Sequence, residues 1–258
     1  MVVKKTFPIH WISAICLCVL IAACGKPTPE PLSANVPIPD DRSGVAVPVT
    51  NTQTGELTSC PEFYTEEFNE STTESCWISN TPLIVTSTKP DQVRLSTKDD
   101  GMNLVLDAAY TDAYVFYRGG LYPDLNLQAT ITSHGVNNHA AALVCRANEK
   151  GWYEARVSTS GFFSIYRYDT QKRISKKNPY TNFIVDTPSS AINTGTDKSN
   201  VIQFLCIGNS LILNINGTEV FNRPLADKTE PGLVGVGGHS QENFPVDLTF
   251  QTVLIGPP

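Results

Sequence analysis

Charge is scarce in this 258-residue chain: Asp, Glu, Lys and Arg make up 17% of it, and the balance is acidic, 19 basic residues against 25 acidic. At 41% apolar residues the sequence is nevertheless too hydrophobic for a disordered chain. Long hydrophobic runs are lacking. The longest spans residues 11–23, short of the roughly 20 residues a helix needs to cross a ~30 Å hydrocarbon core, so a permanent membrane span is not expected. Helical periodicity is lacking too, and no period of 20 to 50 residues repeats, which excludes solenoids and propellers. The 17 glycines and 18 prolines are ordinary for the length and exclude collagen-like sequence. No Gly-x-Ser-x-Gly elbow, phosphate-binding loop or nucleotide fingerprint occurs.

What is present begins with a head. Lys4 and Lys5 precede the apolar run, the layout of a secretory signal peptide. The run ends Leu20-Ile21-Ala22-Ala23-Cys24, which resembles the lipobox of bacterial lipoproteins. The resemblance implies that Cys24 becomes the lipidated N-terminus and that residues 1–23 are removed. A plain signal peptide cut near Ala23 is the alternative, but it leaves the cysteine beside the small residues unexplained. Processing also settles an odd count. Of seven cysteines, Cys16 and Cys18 leave with the signal and Cys24 takes lipid, so Cys60, Cys76, Cys145 and Cys206 remain, an even number. Loss of Lys4 and Lys5 leaves 17 basic residues against 25 acidic, a net charge of −8. A nucleic-acid partner is therefore not expected, because binding phosphates needs a basic footprint. The lipid bilayer would be held by the acyl chains, each buried CH₂ contributing about 0.8 kcal/mol. The expected location is the bacterial cell envelope, on the extracytoplasmic face of a membrane.

Residues 24–59 follow as a tether. Pro27, Pro29, Pro31, Pro37, Pro39 and Pro48 lie among small polar residues, a composition that stays extended and cannot form a core. The remaining 199 residues, 60–258, are enough for one β domain. Residues 124–132 alternate, with Leu125, Leu127, Ala129 and Ile131 on one side and Asn126, Gln128, Thr130 and Thr132 on the other, as in a half-buried strand. Further strand-like runs cover 102–107, 113–117, 139–146, 152–158, 162–168, 201–207, 211–216, 218–221, 233–236 and 246–255. Asn216-Gly217 predicts a two-residue type I′ hairpin and Ser160-Gly161 a second hairpin. About a dozen strands in one domain imply an all-β fold, a two-sheet antiparallel β-sandwich.

The body resembles a known superfamily. Phe63-x₄-Phe68, Trp77, Ala142-Leu-Val-Cys-Arg146, Gly151-Trp-Tyr-Glu154, Gly161-Phe-Phe-Ser-Ile-Tyr166, Cys206-Ile-Gly-Asn-Ser-Leu211 and Asn216-Gly217 are similar to concanavalin A-like lectin/glucanase domains. More narrowly, they resemble the jelly rolls of bacterial surface lipoproteins related to the 3-keto-disaccharide hydrolase domain. Such relatives often end in a Phe-Asp-Asn-Phe strand; the equivalent here is Phe250-Gln251-Thr252-Val253, so no role of that Asp carries over. In an oxidising compartment the four cysteines imply two disulfides, with three connectivities open. Cys60–Cys76 would close a short polar excursion. Cys145–Cys206 would join two central strands and has analogues in the superfamily. Zinc is the other use of such cysteines, but no CxxC or Cys/His cluster has ligand spacing.

The glucanases of this superfamily carry a Glu-x-Asp-x-x-Glu strand, since retaining hydrolysis needs two carboxyls about 5 Å apart. Residues 60–258 have no such spacing, which weighs against an enzyme. Glu66-Glu67 and Asp99-Asp100 read as solvated pairs, the latter in a hairpin turn with Gly101. His134, His139 and His239 read as loop residues. No cofactor is indicated beyond an edge calcium of the kind lectin-like sandwiches hold, for which no ligands can be named. The strands themselves carry the candidate site. Period two places Trp152, Glu154 and Arg156 on one face of their strand, and Tyr166 and Tyr168 share a face with Ser164. Arg146 is expected beyond Val144 and Ala142 on theirs. Aromatic plates beside Arg and Glu suit sugars, whose C–H groups stack on rings while hydroxyls take paired hydrogen bonds. The plainer alternative is that these side chains only cover the outer sheet surface. The reading is a lipid-anchored module that binds carbohydrate on a concave sheet. A glycoside-acting enzyme and an envelope protein-interaction lipoprotein are the alternatives.

Overall fold

Strand alternation is carried into burial almost residue by residue. Along 125–133 the odd positions, Leu125 through Ser133, are buried and the even ones are half-exposed. The same period runs through Ser210–Ile215 and most of Lys198–Ile207. The structure is a computed structural model, and it describes residues 60–258 apart from 69–73, 78–82, 88, 99–100, 137–138 and 227–229. The signal, lipobox and tether segments, and Asp99-Asp100, lie outside the described residues.

In chain order the elements are β1 (Tyr64–Glu66), α1 (Glu74–Trp77), β2 (Leu83–Thr86), β3 (Val93–Lys98), β4 (Gly101–Leu106), β5 (Asp112–Tyr122), β6 (Leu125–Ser133), β7 (Ala140–Asn148), β8 (Gly151–Ser158), β9 (Phe162–Asp169), α2 (Thr170–Ile174), β10 (Tyr180–Pro188), β11 (Lys198–Ile207), β12 (Ser210–Ile215), β13 (Thr218–Pro224), β14 (Gly232–His239) and β15 (Val246–Gly256). All pairings are antiparallel and form two sheets. The first runs β13-β12-β11-β6-β15-β4-β3, with β1 also paired to β15; the second runs β10-β9-β8-β7-β14-β5-β2. Asn216 and Gly217 have φ of 50° and 79° between β12 and β13, the two positive angles of the expected type I′ turn. The second expected hairpin joins β8 to β9, with Ser158 opposite Phe162.

The main core lies between the sheets. Leu104, Leu106, Leu127, Phe204, Leu213 and Phe250 from the first sheet meet Val115, Tyr117, Leu143, Ile165, Val234 and Val236 from the second. A covalent link crosses this core: Cys145 on β7 is bonded to Cys206 on β11, and both are fully buried. Cys60 and Cys76 form the other disulfide, tying the start of the domain to α1, where Trp77 packs 5.1 Å from the ring of Tyr117.

Three expectations are corrected. Glu66 is not a solvated surface acid; it is 2% exposed and accepts a hydrogen bond from the Phe68 amide at 2.8 Å. His139 is not a loop histidine in water. It is 1% exposed just before β7 and contacts the Ser133 hydroxyl through Nε2, and burial, aided by nearby His239, lowers its pKa to about 4. His239 ends strand β14 rather than sitting in a turn. His134 does stand in a half-exposed connection, 2.7 Å from Asp197.

Candidate functional site on the outer face of the second sheet

Strand β8 is buried over all eight residues, so the second sheet is covered on both sides there. Tyr153, Ala155 and Val157 face the main core. Trp152 faces the other way, into a separate cluster with Tyr114, Ala142, Val144, Ala147 and Tyr168, against which Phe116, Tyr180 and Leu233 pack.

Small residues make this cluster possible. On β14 two of the outward positions, between Leu233 and His239, are Gly235 and Gly237. A Cβ at Gly237 would stand 2.5 Å from Tyr114 Cδ1, and one at Gly235 would stand 2.7 Å from Phe116 Cδ1. The two rings therefore pack closely against β14. On β7 the outward residues Ala140 and Ala142 leave similar room opposite Ser158 and Arg156. The result is a trough floored by Gly and Ala, over which side chains from β5 reach those of β8 across the two strands between, β14 and β7. Gly151 supplies the register at its end. Its φ is 130°, and a Cβ would fall 1.9 Å from the Tyr168 carbonyl oxygen, so only glycine lets β8 start there. Trp152 is thereby set opposite Tyr168, and the two rings stack at 3.8 Å and 10°.

Charges fill the rest of the trough. Glu154, with no exposure, accepts from Trp152 Nε1 at 2.7 Å, from the Tyr114 hydroxyl at 2.8 Å, and from Arg156 Nε. Arg156 also reaches Asp112 on β5 at 3.0 Å and donates to the Tyr114 hydroxyl at 3.1 Å. Its guanidinium lies 4.7 Å from the Tyr180 ring centroid and 5.0 Å from that of Tyr166. Asp112 in turn meets His239 Nδ1 at 2.7 Å. Burial works against the charge of Arg156, but Glu154, Tyr114 and Asp112 outweigh it and raise its pKa well above the ordinary value. Burial first, and then the adjacent carboxylates, push the hydroxyls of Tyr114 and Tyr180 well above the usual tyrosine range. Tyr168 is raised to about 12, mainly by burial. All three tyrosines are thus neutral at ordinary pH and can act as fixed donors.

Of the six residues expected to bind a ligand, Trp152, Glu154, Arg156, Tyr166 and Tyr168 are together on this face. Arg146 is not. A register break between Cys145 and Asn148, with Arg146 at φ 55°, turns it out of the strand's alternation. It donates instead to the Pro123 and Gly208 carbonyls and meets Asp124 at 3.1 Å. Asp112, Tyr114, Tyr180 and His239 were missed. For Tyr114 and Phe116 the signal was present, since they alternate with the core residues Ala113, Val115 and Tyr117 in the run 113–117 read as a strand; Asp112 lies just before that run. Among the described residues no group of three or more His, Cys, Asp and Glu is arranged to hold a metal ion.

No protein-family model and no curated protein matches the sequence. Solved structures do match in shape. An endo-acting O-glycanase of the human gut microbiota that initiates mucin breakdown aligns with a TM-score of 0.55 at 13% identity, over 76% of this chain and 98% of that one. A beta-glucanase of Bacillus licheniformis aligns with a TM-score of 0.51 at 14% identity, over 80% and 100% of the two chains. The domain has the two-sheet jelly-roll fold. A carbohydrate-binding module of Bacillus subtilis has a similar shape, with a TM-score of 0.50 at 14% identity over 70% of this chain and 99% of that one. At these identities the likeness describes the jelly roll's architecture, and the chemistry must come from its own side chains.

Proposed function

We propose that the chain is a lipid-anchored, extracytoplasmic carbohydrate-binding module whose site is the outer face of the second sheet. The observation that carries this reading is the trough itself: a charged, hydrogen-bonded network lying over a Gly and Ala floor, beside partly exposed aromatic rings. Tyr166, Tyr180 and Phe116 are the partly exposed rings on which sugar C–H groups would stack, while the partly exposed His239, held by Asp112, offers a polar edge to hydroxyls. Trp152 is 2% exposed and already stacked on Tyr168; it supports the platform from beneath. The jelly-roll neighbours that act on or bind glycans lend support in kind. Anchoring rests on the Ile21-Ala22-Ala23-Cys24 sequence and would place the module on the outer side of a bacterial membrane, spaced from it by residues 25–59.

A module also fits the state of the acids better than a hydrolase does. A glycosidase acid must hold a proton and reach its substrate, whereas Glu154 is fully buried and takes three donors. The test is a glycan array probed with the detergent-solubilised full chain beside Tyr166→Ala and Tyr180→Ala variants. Binding that falls about tenfold in either variant, the scale of one lost ring contact of ~1 kcal/mol or more, is the expected result. Binding untouched in both variants, or no binding by the parent chain, would reject the site. Release of sugar fragments would point to the enzyme instead.

A further inference from the structure

We infer that the end of the domain where the tether joins it docks on an anionic lipid headgroup surface. The inference uses the lipid-anchored part of the reading above, which brings a membrane near, and is independent of the sugar site. The acidic balance of the chain is an average that conceals one basic stretch. Residues 170–179, α2 and the connection after it, carry Lys172, Arg173, Lys176 and Lys177 and no acid. Lys176 and Lys177 are exposed, and Ile174, between the two basic pairs, is 67% exposed.

Register places this stretch at the tether end. Across the second sheet Tyr122 pairs with Gly232, Leu233 with Ala147, Asn148 with Gly151, and Gly151 with Asp169, the residue before α2. One row of strand ends thus runs from the last residue of β5 to α2. At the β5 side of this row the first residues of the domain are held. The Tyr117 hydroxyl donates to the Pro61 carbonyl at 2.6 Å, the Tyr122 hydroxyl donates to the Glu62 carbonyl, and the Phe63 ring lies 6.1 Å from that of Tyr122. Between the pairs Tyr117–Val234 and Tyr122–Gly232, β5 bulges: Arg118-Gly119-Gly120-Leu121 stand against Leu233 alone, and Arg118 and Leu121 are exposed. Of the five large apolar side chains exposed among the described residues, Phe63, Leu121 and Ile174 are at this end.

The acids of the same end are fewer and mostly engaged. Asp124 meets Arg146, Glu230 meets Lys150, and Asp169 caps α2 through the Lys172 amide. Glu62 and Glu149 are the other acids among the described residues of these connections. Against them stand Arg118 and the four cations of the α2 stretch. Apolar side chains interleaved with cations suit a lipid surface, which takes up both, better than a soluble polyanion, which offers only charge. A weak contact suffices, because the tether makes it an intramolecular one; without the acyl chains it does not hold the protein at a membrane in physiological salt.

The test places the full chain, isolated from membranes, in lipid nanodiscs of phosphatidylcholine alone or with about 30% phosphatidylglycerol, and follows amide hydrogen exchange. On the anionic discs at about 20 mM salt, amides of residues 118–121 and 170–178 should exchange at least about threefold more slowly than on the neutral discs, and about 500 mM salt should erase the difference. Each Lys or Arg near an anionic surface changes the docked population about fivefold, so Lys176→Gln/Lys177→Gln should lose docking about 25-fold and exchange as on neutral discs. The variant changes exposed side chains and leaves the cap of α2 untouched. Equal exchange on the two discs, or a difference that persists in the variant, would overturn the inference and leave the sugar site standing. Slowed exchange with a soluble acidic polysaccharide but not on the anionic discs would overturn it too, making the patch a polyanion site. A chain recovered without lipid would reject the anchor, and flotation with vesicles of the same two compositions at about 20 mM salt then decides: flotation with the anionic vesicles alone supports docking, and flotation with neither overturns it.

Discussion

Replacing Glu154 with Ala removes one carboxylate and strands three donors at once: Arg156 Nε, Trp152 Nε1 and the Tyr114 hydroxyl. Breaking a buried ion pair by removing one partner costs about 3–5 kcal/mol, because the surviving charge has no water to turn to. A stranded neutral donor adds about 1–3 kcal/mol. These contributions are not additive here, since Asp112 still holds Arg156 at 3.0 Å and the Ala cavity admits some relaxation. An overall loss of about 4 kcal/mol is expected, against a typical domain stability of ~5–15 kcal/mol. Glu154→Gln keeps one acceptor and should lose roughly half as much. The control is Glu149→Ala, an exposed acid in the neighbouring turn, which should shift stability by no more than about 0.5 kcal/mol. Urea unfolding under oxidising conditions at neutral pH, followed by tryptophan fluorescence and far-UV circular dichroism, measures all three. A loss below about 1 kcal/mol for Glu154→Ala would mean that water replaces the carboxylate, and the picture of a closed, pre-set trough would fail.

Acid should weaken the fold through His139. Its folded pKa of about 4 lies below the ordinary 6.5, so the unfolded chain takes up the proton first. The stability this neutral histidine confers is complete above pH 6.5 and is lost as pH falls toward 4, by up to about 3 kcal/mol. A His139→Gln variant should show a flatter stability curve between those values by denaturant titration, and an unchanged curve would refute the assignment. The disulfide across the core should matter more than the one at its edge. A sequence separation of 61 for Cys145–Cys206 against 16 for Cys60–Cys76 corresponds to about 4 and about 3 kcal/mol in the chain-entropy model. Paired Cys→Ala variants unfolded in urea should rank in that order. Cys24→Ala should move the protein from the membrane to the soluble fraction and abolish incorporation of radiolabelled palmitate; retention at the membrane would reject lipid anchoring.

The strands that could be read in the sequence are those whose alternation is unbroken. Residues 125–133 alternate because one face meets the main core and the other meets water. By contrast, β10 was invisible, for physical reasons that the register shows. It is an edge strand with irregularities between Asn182 and Ile184 and between Ile184 and Thr187, so no period survives for it to display. The same kind of break hid the true direction of Arg146. The candidate site was half legible. Trp152, Glu154 and Arg156 sit in one strand and Tyr166 and Tyr168 in its hairpin partner, so local period two placed them together. Asp112, Tyr114, Tyr180 and His239 come from three other strands, and only the sheet order joins them to the rest. The Gly235-Val236-Gly237 pattern of β14 hinted at it, since glycines spaced by two on a buried strand mark a close approach by something lying over the sheet.

The chain carries its own reporter for the central claim, that sugar binds over this trough. Of three tryptophans, Trp11 lies in the expected signal segment, Trp77 packs against Phe68 and Tyr117 beside the Cys60–Cys76 disulfide, and Trp152 lies beneath the trough, its Nε1 donating to Glu154. In the mature protein the indole N–H region of a ¹H–¹⁵N spectrum should contain two peaks, assigned by Trp77→Phe. Titration with the best array glycan should move the Trp152 peak and leave the Trp77 peak in place. Movement of the Trp77 peak alone, or saturating binding that moves neither, would contradict the account.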